Sequence, residues 1–259
     1  MSIADFSGNN TDQQVITGEN IEKFLKDIGD EMSNEEKNNL KNSSIEILKN
    51  CVPSNQNSHE SEQNTGLVLG YVQSGKTRSF MSLIALAKDN GYKLVIVLGG
   101  TTNILLDQTI DRLYKKLDDE NFFVFEDFHD TSEHERLIGI INNSKRERTI
   151  VVPVLKNHSP LKKMIKFFRI EELQKTLDRL GVLIIDDEVD HASVDTGMKA
   201  LDEEDNPNEE YNPKTINRLI RMLLNMYDRK SYIGYTATPF ANVFIHPKAC
   251  LLYTSDAAD

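Results

Sequence analysis

The chain has 259 residues, 39% of them hydrophobic, and a formal net charge of -11 at pH 7, which fits one packed globular domain with an appendage, or two small domains. The acidic balance argues against a protein coated in nucleic acid, although it leaves room for a local basic track. Two cysteines exclude a disulfide framework and a tetrahedral zinc site, and the lack of a signal peptide or of an apolar run of roughly 18 residues predicts a cytoplasmic protein with no membrane partner.

The first 64 residues are polar and rich in asparagine, and they predict a small helical N-terminal segment followed by a linker. Hydrophobic residues recur at helical spacing in 19–32 and again in 34–51. Ser33, with two glutamates close behind it, is typical of a helix start. The composition of 53–64 is that of a linker, so the main domain is predicted to begin at residue 65.

From residue 65 to residue 249, short apolar runs alternate with amphipathic helical patterns. This alternation predicts an α/β fold with a mostly parallel sheet flanked by helices. The predicted strands are 66–70, 93–98, 122–125, 149–155, 182–185 and 232–235. The predicted helices between them are 77–90, 103–117, 132–143, 160–180 and 215–227. An acidic, Asn- and Pro-rich stretch, 202–214, is predicted to be an exposed loop.

A phosphate-binding loop is predicted at 70–77 (GYVQSGKT), which matches G-x-x-x-x-G-K-[ST] between a predicted strand and a predicted helix. Glycines allow the backbone N–H groups to surround phosphates, and the helix N-terminus adds a positive dipole end. Lys76 is expected to reach the β- and γ-phosphates, and the Thr77 hydroxyl to bind Mg²⁺. The residues assigned to nucleotide binding are Gly70, Gln73, Ser74, Gly75, Lys76 and Thr77.

A run of carboxylates, 186–191 (DDEVDH), follows the fifth predicted strand, at the edge of a parallel sheet where ligands bind. Because these acids lie downstream of a phosphate loop, we predict that Asp187 binds Mg²⁺ and that Glu188 orients or deprotonates the attacking water. Lys76 is the third predicted catalytic residue. Asp190 and His191 are predicted to couple the nucleotide state to neighbouring motifs. The alternative for such a run is an exposed turn.

The order of these motifs resembles that of superfamily-2 helicases, because D-E-x-D at 187–190 and T-A-T-P at 236–239 correspond to their motifs II and III. Longer segments resemble the Z1-domain endonuclease family: 66–77, 92–109, 154–158, 184–193 and 232–244. The resemblance covers 65–247 and implies the first RecA-like domain of an ATPase that acts on DNA, with ATP and Mg²⁺ as cofactors.

The same resemblance assigns residues that touch neither phosphate nor metal. Thr236 and Thr238 would couple the nucleotide state to the rest of the molecule. The candidates for facing nucleic acid are Thr101, Thr102, Asn103, Lys156, Asn157 and His158. The basic segment 145–169 holds a single acid, Glu147, and is a candidate track for a nucleic-acid backbone, or else a solvated helix face.

The last ten residues, 250–259 (CLLYTSDAAD), match codon for codon the translation of a transposase sequencing adapter. We treat them as a non-native tail, so the native protein is expected to continue beyond Ala249 into a second RecA-like domain. The resemblance implies that this second domain supplies an arginine that stabilises the transferring phosphoryl group, and in related NTPases such an arginine accelerates hydrolysis about 10³- to 10⁵-fold. We therefore expect the chain alone to bind Mg-nucleotide weakly and to hydrolyse it very slowly.

Three functions remain open at this stage. The first is an ATP-dependent DNA translocase or remodelling subunit that works with partner subunits of a restriction or defence system. The second is a nucleotide-dependent switch that gates a partner without translocating. The third is a metal-dependent nuclease in which the phosphate loop is incidental, although no convincing nuclease centre occurs between residues 67 and 247.

Overall fold

The structure, a computed structural model, describes residues 2–7, 14–54, 61–69, 75–100, 102–117, 120–130, 132–178, 180–189 and 213–237. Its strands are β1 (Ser2–Ser7), β2 (Glu62–Leu69), β3 (Leu94–Gly99), β4 (Phe122–Val124), β5 (Thr149–Leu155), β6 (Val182–Asp187) and β7 (Arg229–Thr236). Its α-helices are α1 (Glu19–Asp27), α2 (Asn34–Lys49), α3 (Lys76–Asp89), α4 (Asn103–Lys116), α5 (Ser132–Asn142), α6 (His158–Phe168), α7 (Glu171–Leu177) and α8 (Pro213–Leu224).

One sheet contains all seven described strands, in the order β1-β2-β7-β6-β3-β5-β4. The six strands from β2 to β4 in this order are parallel, which confirms the predicted α/β fold with a mostly parallel sheet. Strand β1 pairs antiparallel with β2 at the edge. Strand β1 was not predicted from the sequence, because an edge strand depends on hydrogen bonds to its neighbour more than on a long apolar run.

Helices cover both faces of the sheet. Helices α1 to α4 pack on one face and α5 to α8 on the other, each layer with its own apolar core. Strand β3 shows how one sequence serves both cores: Val95 and Val97 face the first, while Leu94, Ile96 and Leu98 face the second. A parallel strand that is buried on both sides therefore reads as an unbroken apolar run.

The N-terminal helices belong to this packing. Helices α1 and α2 share the core of α3, and β2 begins at Glu62. The boundary predicted after residue 64 therefore lies within β2, and the helical segment packs directly on the sheet layer. The carboxylate of Asp89, at the end of α3, accepts hydrogen bonds at 3.0 Å from the backbone N–H groups of Gly18, Asn20 and Ile21, which secures the start of α1.

We expect Asp89→Ala to lower the free energy of unfolding by about 2 kcal/mol, because it leaves helix-terminal N–H groups without their acceptor. Urea denaturation followed by circular dichroism measures this loss. Asp107→Ala, which removes an exposed aspartate from α4, is the control and should change stability by less than about 0.5 kcal/mol. Equal losses in both variants would contradict the proposed role of Asp89.

The predicted helix 160–180 is two helices. Helix α6 ends at Phe168 and α7 begins at Glu171, because Ile170 takes an extended backbone conformation with φ -67° and ψ 130°. Most of the predicted loop 202–214 and all of the tail 250–259 lie outside the described residues, and α8 already begins at Pro213. None of the described helices has the length and apolar character needed to cross a membrane.

Candidate functional site

The candidate site lies where β2, β7 and β6 end side by side. Leu69 pairs with Thr236 across β2 and β7, and Asp187 pairs with Tyr235 across β6 and β7. The end of β2 and the acids of β6 are therefore roughly 10 Å apart, which is two strand spacings. In open α/β folds, nucleotides bind at this carboxyl edge of the parallel sheet.

The last residues of the predicted phosphate loop are described, whereas Gly70, Gln73 and Ser74 lie outside the described residues. Gly75 has φ +77°, a left-handed conformation that costs glycine little and other residues more. It is the N-cap of α3, and no described side chain caps this helix end. The free N–H groups of the first turn and the helix dipole are therefore available to an anion.

A cavity of about 460 Å³ opens beside the first turn of α3. Its described wall carries the cations Lys76, Arg78, Arg112 and Lys116 and a single acid, Glu31. Phe24 of α1, Ile28 just after that helix and Met81 of α3 supply its apolar part. The volume is that of an ordinary small-molecule site, and the charge favours an anionic ligand.

Arg112 is a site residue that the sequence motifs do not reveal. Its Nη1 donates a hydrogen bond to Thr77 Oγ1 over 3.0 Å, although it lies far along α4, outside every motif. Thr77 is the residue predicted to bind Mg²⁺. Because a guanidinium and Mg²⁺ repel each other, we expect Arg112 to leave this oxygen for a phosphate when a metal nucleotide binds.

The acids at the end of β6 have different surroundings. Asp186 is fully buried: its Oδ1 lies 2.8 Å from Lys156 Nζ, and its Oδ2 accepts a hydrogen bond from the Tyr232 hydroxyl. Asp187 is half-buried, and its Oδ1 has no hydrogen-bond partner among the described residues. Burial raises the pKa of Asp187, and the positive charge of Lys76 opposes that rise.

This donor set fits Mg²⁺. The unpartnered Oδ1 of Asp187 is a carboxylate oxygen that a cation would satisfy, and the Thr77 hydroxyl is a second hard oxygen donor on α3. The described residues hold no cluster of three or more His, Cys, Asp or Glu that could bind a metal by itself. Phosphate and water oxygens would therefore complete the coordination, as Mg²⁺ sites commonly require.

Glu188 has a left-handed backbone, with φ +58°, which is unusual for a residue other than glycine. Its Oε2 lies 3.5 Å from the position that a Cβ on Gly100 would occupy, so the carboxylate faces the end of β3. The next residue, Val189, donates its N–H to Tyr235 O over 2.9 Å. This bond joins the turn after β6 to β7.

Of the residues predicted to couple nucleotide state to other motifs, one is described. Thr236 is fully buried at the end of β7. At Gly234, two residues earlier, an added Cβ would lie 3.1 Å from the Val189 side chain, so Val189 would have to shift by a few tenths of an ångström. Asp190, His191 and Thr238 lie outside the described residues.

Comparison with known families decides the class of this site. The family model described as "Type III restriction enzyme, res subunit" (ResIII) matches residues 25–241. The chain belongs to the ResIII family. Its site is thus that of a helicase-like ATPase domain.

Two solved structures are similar to part of this ResIII domain. The Hef helicase domain of Pyrococcus furiosus is 14% identical, with a TM-score of 0.42 over 81% of this chain and 34% of that chain. The Sulfolobus solfataricus SWI2/SNF2 ATPase core, solved in complex with dsDNA, is 17% identical, with a TM-score of 0.34 over 67% of this chain and 28% of that chain. The ResIII chain thus spans about a third of the length of these structures. No protein of curated function matches it in sequence.

The candidate nucleic-acid residues of the ResIII domain follow β3 and β5, which are neighbours in the sheet. Thr102 and Asn103 are exposed at the start of α4, and His158 is half-buried at the start of α6. They share the sheet edge with the nucleotide site. Asn157 is buried, and Thr101 lies outside the described residues.

Lys156 does not face nucleic acid as predicted. Its side chain is fully buried and its Nζ is paired with Asp186, so the ammonium is not available to a nucleic acid. A lysine at the end of a strand is normally exposed, and the acid that draws it inward lies 30 residues away in the chain.

The basic segment 145–169 is not one continuous track. Lys145 and Arg146 are exposed before β5, whereas Lys162, Lys163 and Lys166 are exposed on α6, which follows β5. The seven residues of β5 separate these two basic groups by roughly 23 Å. Only the α6 group begins near the nucleotide edge, so it alone continues the surface formed by Asn103 and His158.

Proposed function

We propose that this ResIII domain binds and hydrolyses Mg-ATP to drive movement along DNA or its remodelling, as a module of a Z1-type endonuclease in a restriction or defence system. One observation carries the proposal. The open N-terminus of α3, with Lys76 and Thr77, faces the unpartnered carboxylate oxygen of Asp187 across a single strand. A phosphate chain bound at α3 would bring its metal ion to this carboxylate.

Each residue has a defined task in this proposal. Lys76 neutralises the β- and γ-phosphates, and the N–H groups of α3 orient them. Thr77 and Asp187 would hold Mg²⁺, which when bound supplies positive charge to the transferring phosphoryl group. Glu188 accepts a hydrogen bond from the attacking water and orients it.

Support for DNA as the partner comes from the family and from the surface. The family description names a subunit of a restriction enzyme. Beside the nucleotide edge, Thr102, Asn103 and the exposed lysines of α6 present hydroxyl, amide and ammonium groups. Such groups contact phosphates without reading bases, which suits an enzyme that moves along a strand.

Lys76→Ala is expected to weaken Mg-ATP binding about tenfold to a hundredfold, because a charge-assisted contact of about 1.5–3 kcal/mol is lost. Titration with a fluorescent ATP analogue measures this affinity. Lys88→Ala, at the opposite end of α3, is the matched control and should bind as the unaltered chain does. Identical affinities for both variants would contradict the phosphate site.

Adding DNA to the purified protein and its variants distinguishes three functions: a motor, a switch and a nuclease. Hydrolysis that is stimulated by double-stranded or single-stranded DNA supports a motor. Hydrolysis that is indifferent to DNA favours a nucleotide-dependent switch that gates a partner. Cleavage of DNA that persists in Lys76→Ala would favour a metal-dependent nuclease.

A further inference from the structure

Lys156 makes contacts that an ion pair does not require. Its Nζ donates to Asp186 Oδ1 over 2.8 Å and to the backbone oxygens of Asp187 and Glu188, each over 2.6 Å. An ammonium has three donors, and here each of them has an acceptor. The ion pair with Asp186 needs only one of these contacts, so the other two serve the turn after β6.

These two backbone oxygens bracket Glu188. The oxygen of Asp187 belongs to the peptide group before the Glu188 Cα, and the oxygen of Glu188 belongs to the peptide group after it. One ammonium therefore holds both peptide planes whose rotation defines φ and ψ of Glu188. The second plane is also held from its other side, because Val189 N–H donates to Tyr235 O.

Glu188 needs such support. Its φ of +58° is a conformation that residues other than glycine adopt at a cost, and surrounding contacts must impose it. Asp186 of β6, which is itself oriented by the Tyr232 hydroxyl of β7, keeps the ammonium in place. Without Lys156, the turn would relax toward an ordinary conformation and the carboxylate would move away from Gly100.

We propose that Lys156 is a positioning residue for hydrolysis: by fixing the peptide groups on both sides of Glu188, it aims the Glu188 carboxylate at the attacking water. The inference rests on the proposed function, in which Glu188 orients that water. The Lys156 side chain is fully buried and its ammonium donates to protein oxygens, so it acts through Glu188. Its loss should therefore change the rate of the chemical step and leave nucleotide affinity intact.

The test uses Lys156→Met combined with Asp186→Asn. This pair removes the ammonium and the buried carboxylate charge together, so the chain avoids an unpaired charge in its core, and the amide oxygen can still accept from Tyr232. Lys175→Met, an exposed lysine on α7, is the control. Mg-ATP affinity and single-turnover hydrolysis are measured in the full-length native protein, in excess over ATP, for each variant and for Glu188→Gln.

We expect the double variant to bind Mg-ATP within about twofold of the unaltered chain and to hydrolyse it about a hundredfold more slowly, as a displacement of about 1 Å of a catalytic group can cause. Hydrogen exchange at the Val189 amide should also become faster, and this readout does not depend on activity. A purely structural role of Lys156 would lower affinity and rate together.

Two outcomes separate this inference from the proposed function. If Glu188→Gln abolishes hydrolysis while the double variant hydrolyses at the normal rate, the role of Lys156 is overturned and the proposed function stands. If Glu188→Gln leaves hydrolysis unchanged, the catalytic assignment of Glu188 fails, and the inference fails with it. Unchanged exchange at Val189 would show that Lys156 does not hold the turn.

Discussion

Glu188→Gln should slow single-turnover hydrolysis of Mg-ATP by about 10²- to 10⁴-fold, the usual contribution of a positioned general base. Glutamine has nearly the same shape as glutamate, and φ +58° at this position is set by backbone contacts that the change leaves in place. What is lost is the negative charge that attracts a proton of the attacking water. Mg-ATP binding should therefore persist, since Lys76, Thr77 and Asp187 are untouched.

Rapid mixing of the full-length native protein in excess over labelled ATP, followed by quantification of released phosphate, gives the rate directly. Glu135→Gln, an exposed glutamate on α5, controls for the substitution itself and should leave the rate unaltered. Hydrolysis by Glu188→Gln at the rate of the Glu135→Gln control would show that another residue orients the water. Loss of nucleotide binding in Glu188→Gln would instead point to a role in holding the metal.

Lys156→Met alone should lower the free energy of unfolding by about 3–5 kcal/mol, because it leaves a fully buried Asp186 carboxylate without its cation. Adding Asp186→Asn removes the unpaired charge and should recover most of that loss. The two changes are therefore strongly non-additive, as expected for residues in direct contact. Urea denaturation of the two single variants and of the double variant completes the cycle.

Lys163→Met is the control for this cycle, since Lys163 is exposed on α6 and should affect stability by less than about 0.5 kcal/mol. A loss below about 1 kcal/mol in Lys156→Met would mean that water reaches the Asp186 carboxylate and screens it. The pair would then be a surface contact, and the buried geometry would be wrong. Additive effects in the double variant would lead to the same conclusion.

The fold class and most elements follow from local pattern. Strand β5 has the predicted bounds, 149–155, because a strand that is buried on both faces consists of apolar residues throughout its length. Helix α4 begins at the predicted residue, Asn103. The phosphate-loop pattern and the acids at the end of β6 are also short-range features of the sequence. Their positions at strand ends could therefore be predicted without knowing the strand order.

Features that depend on remote partners could not be predicted in this way. Hydrogen bonds to β2 define β1 at the edge of the sheet, and β7 lies between β2 and β6 although it is the last described strand of the chain. Arg112 meets Thr77 across 35 residues, and no local pattern marks that encounter. The position of a strand within a sheet is decided by which faces and edges fit together, and the sequence of one segment does not contain that information.

By itself, the sequence determined the α/β class, most of the strands and helices, and the residue types that can bind phosphate and Mg²⁺, since all of these depend on spacing along the chain. The tertiary structure alone decided that Lys156 is buried against Asp186 and the turn at Glu188. The reason is physical: whether a charged side chain stays in water or enters the core depends on whether folding brings a partner for it, and here that partner lies on a different strand.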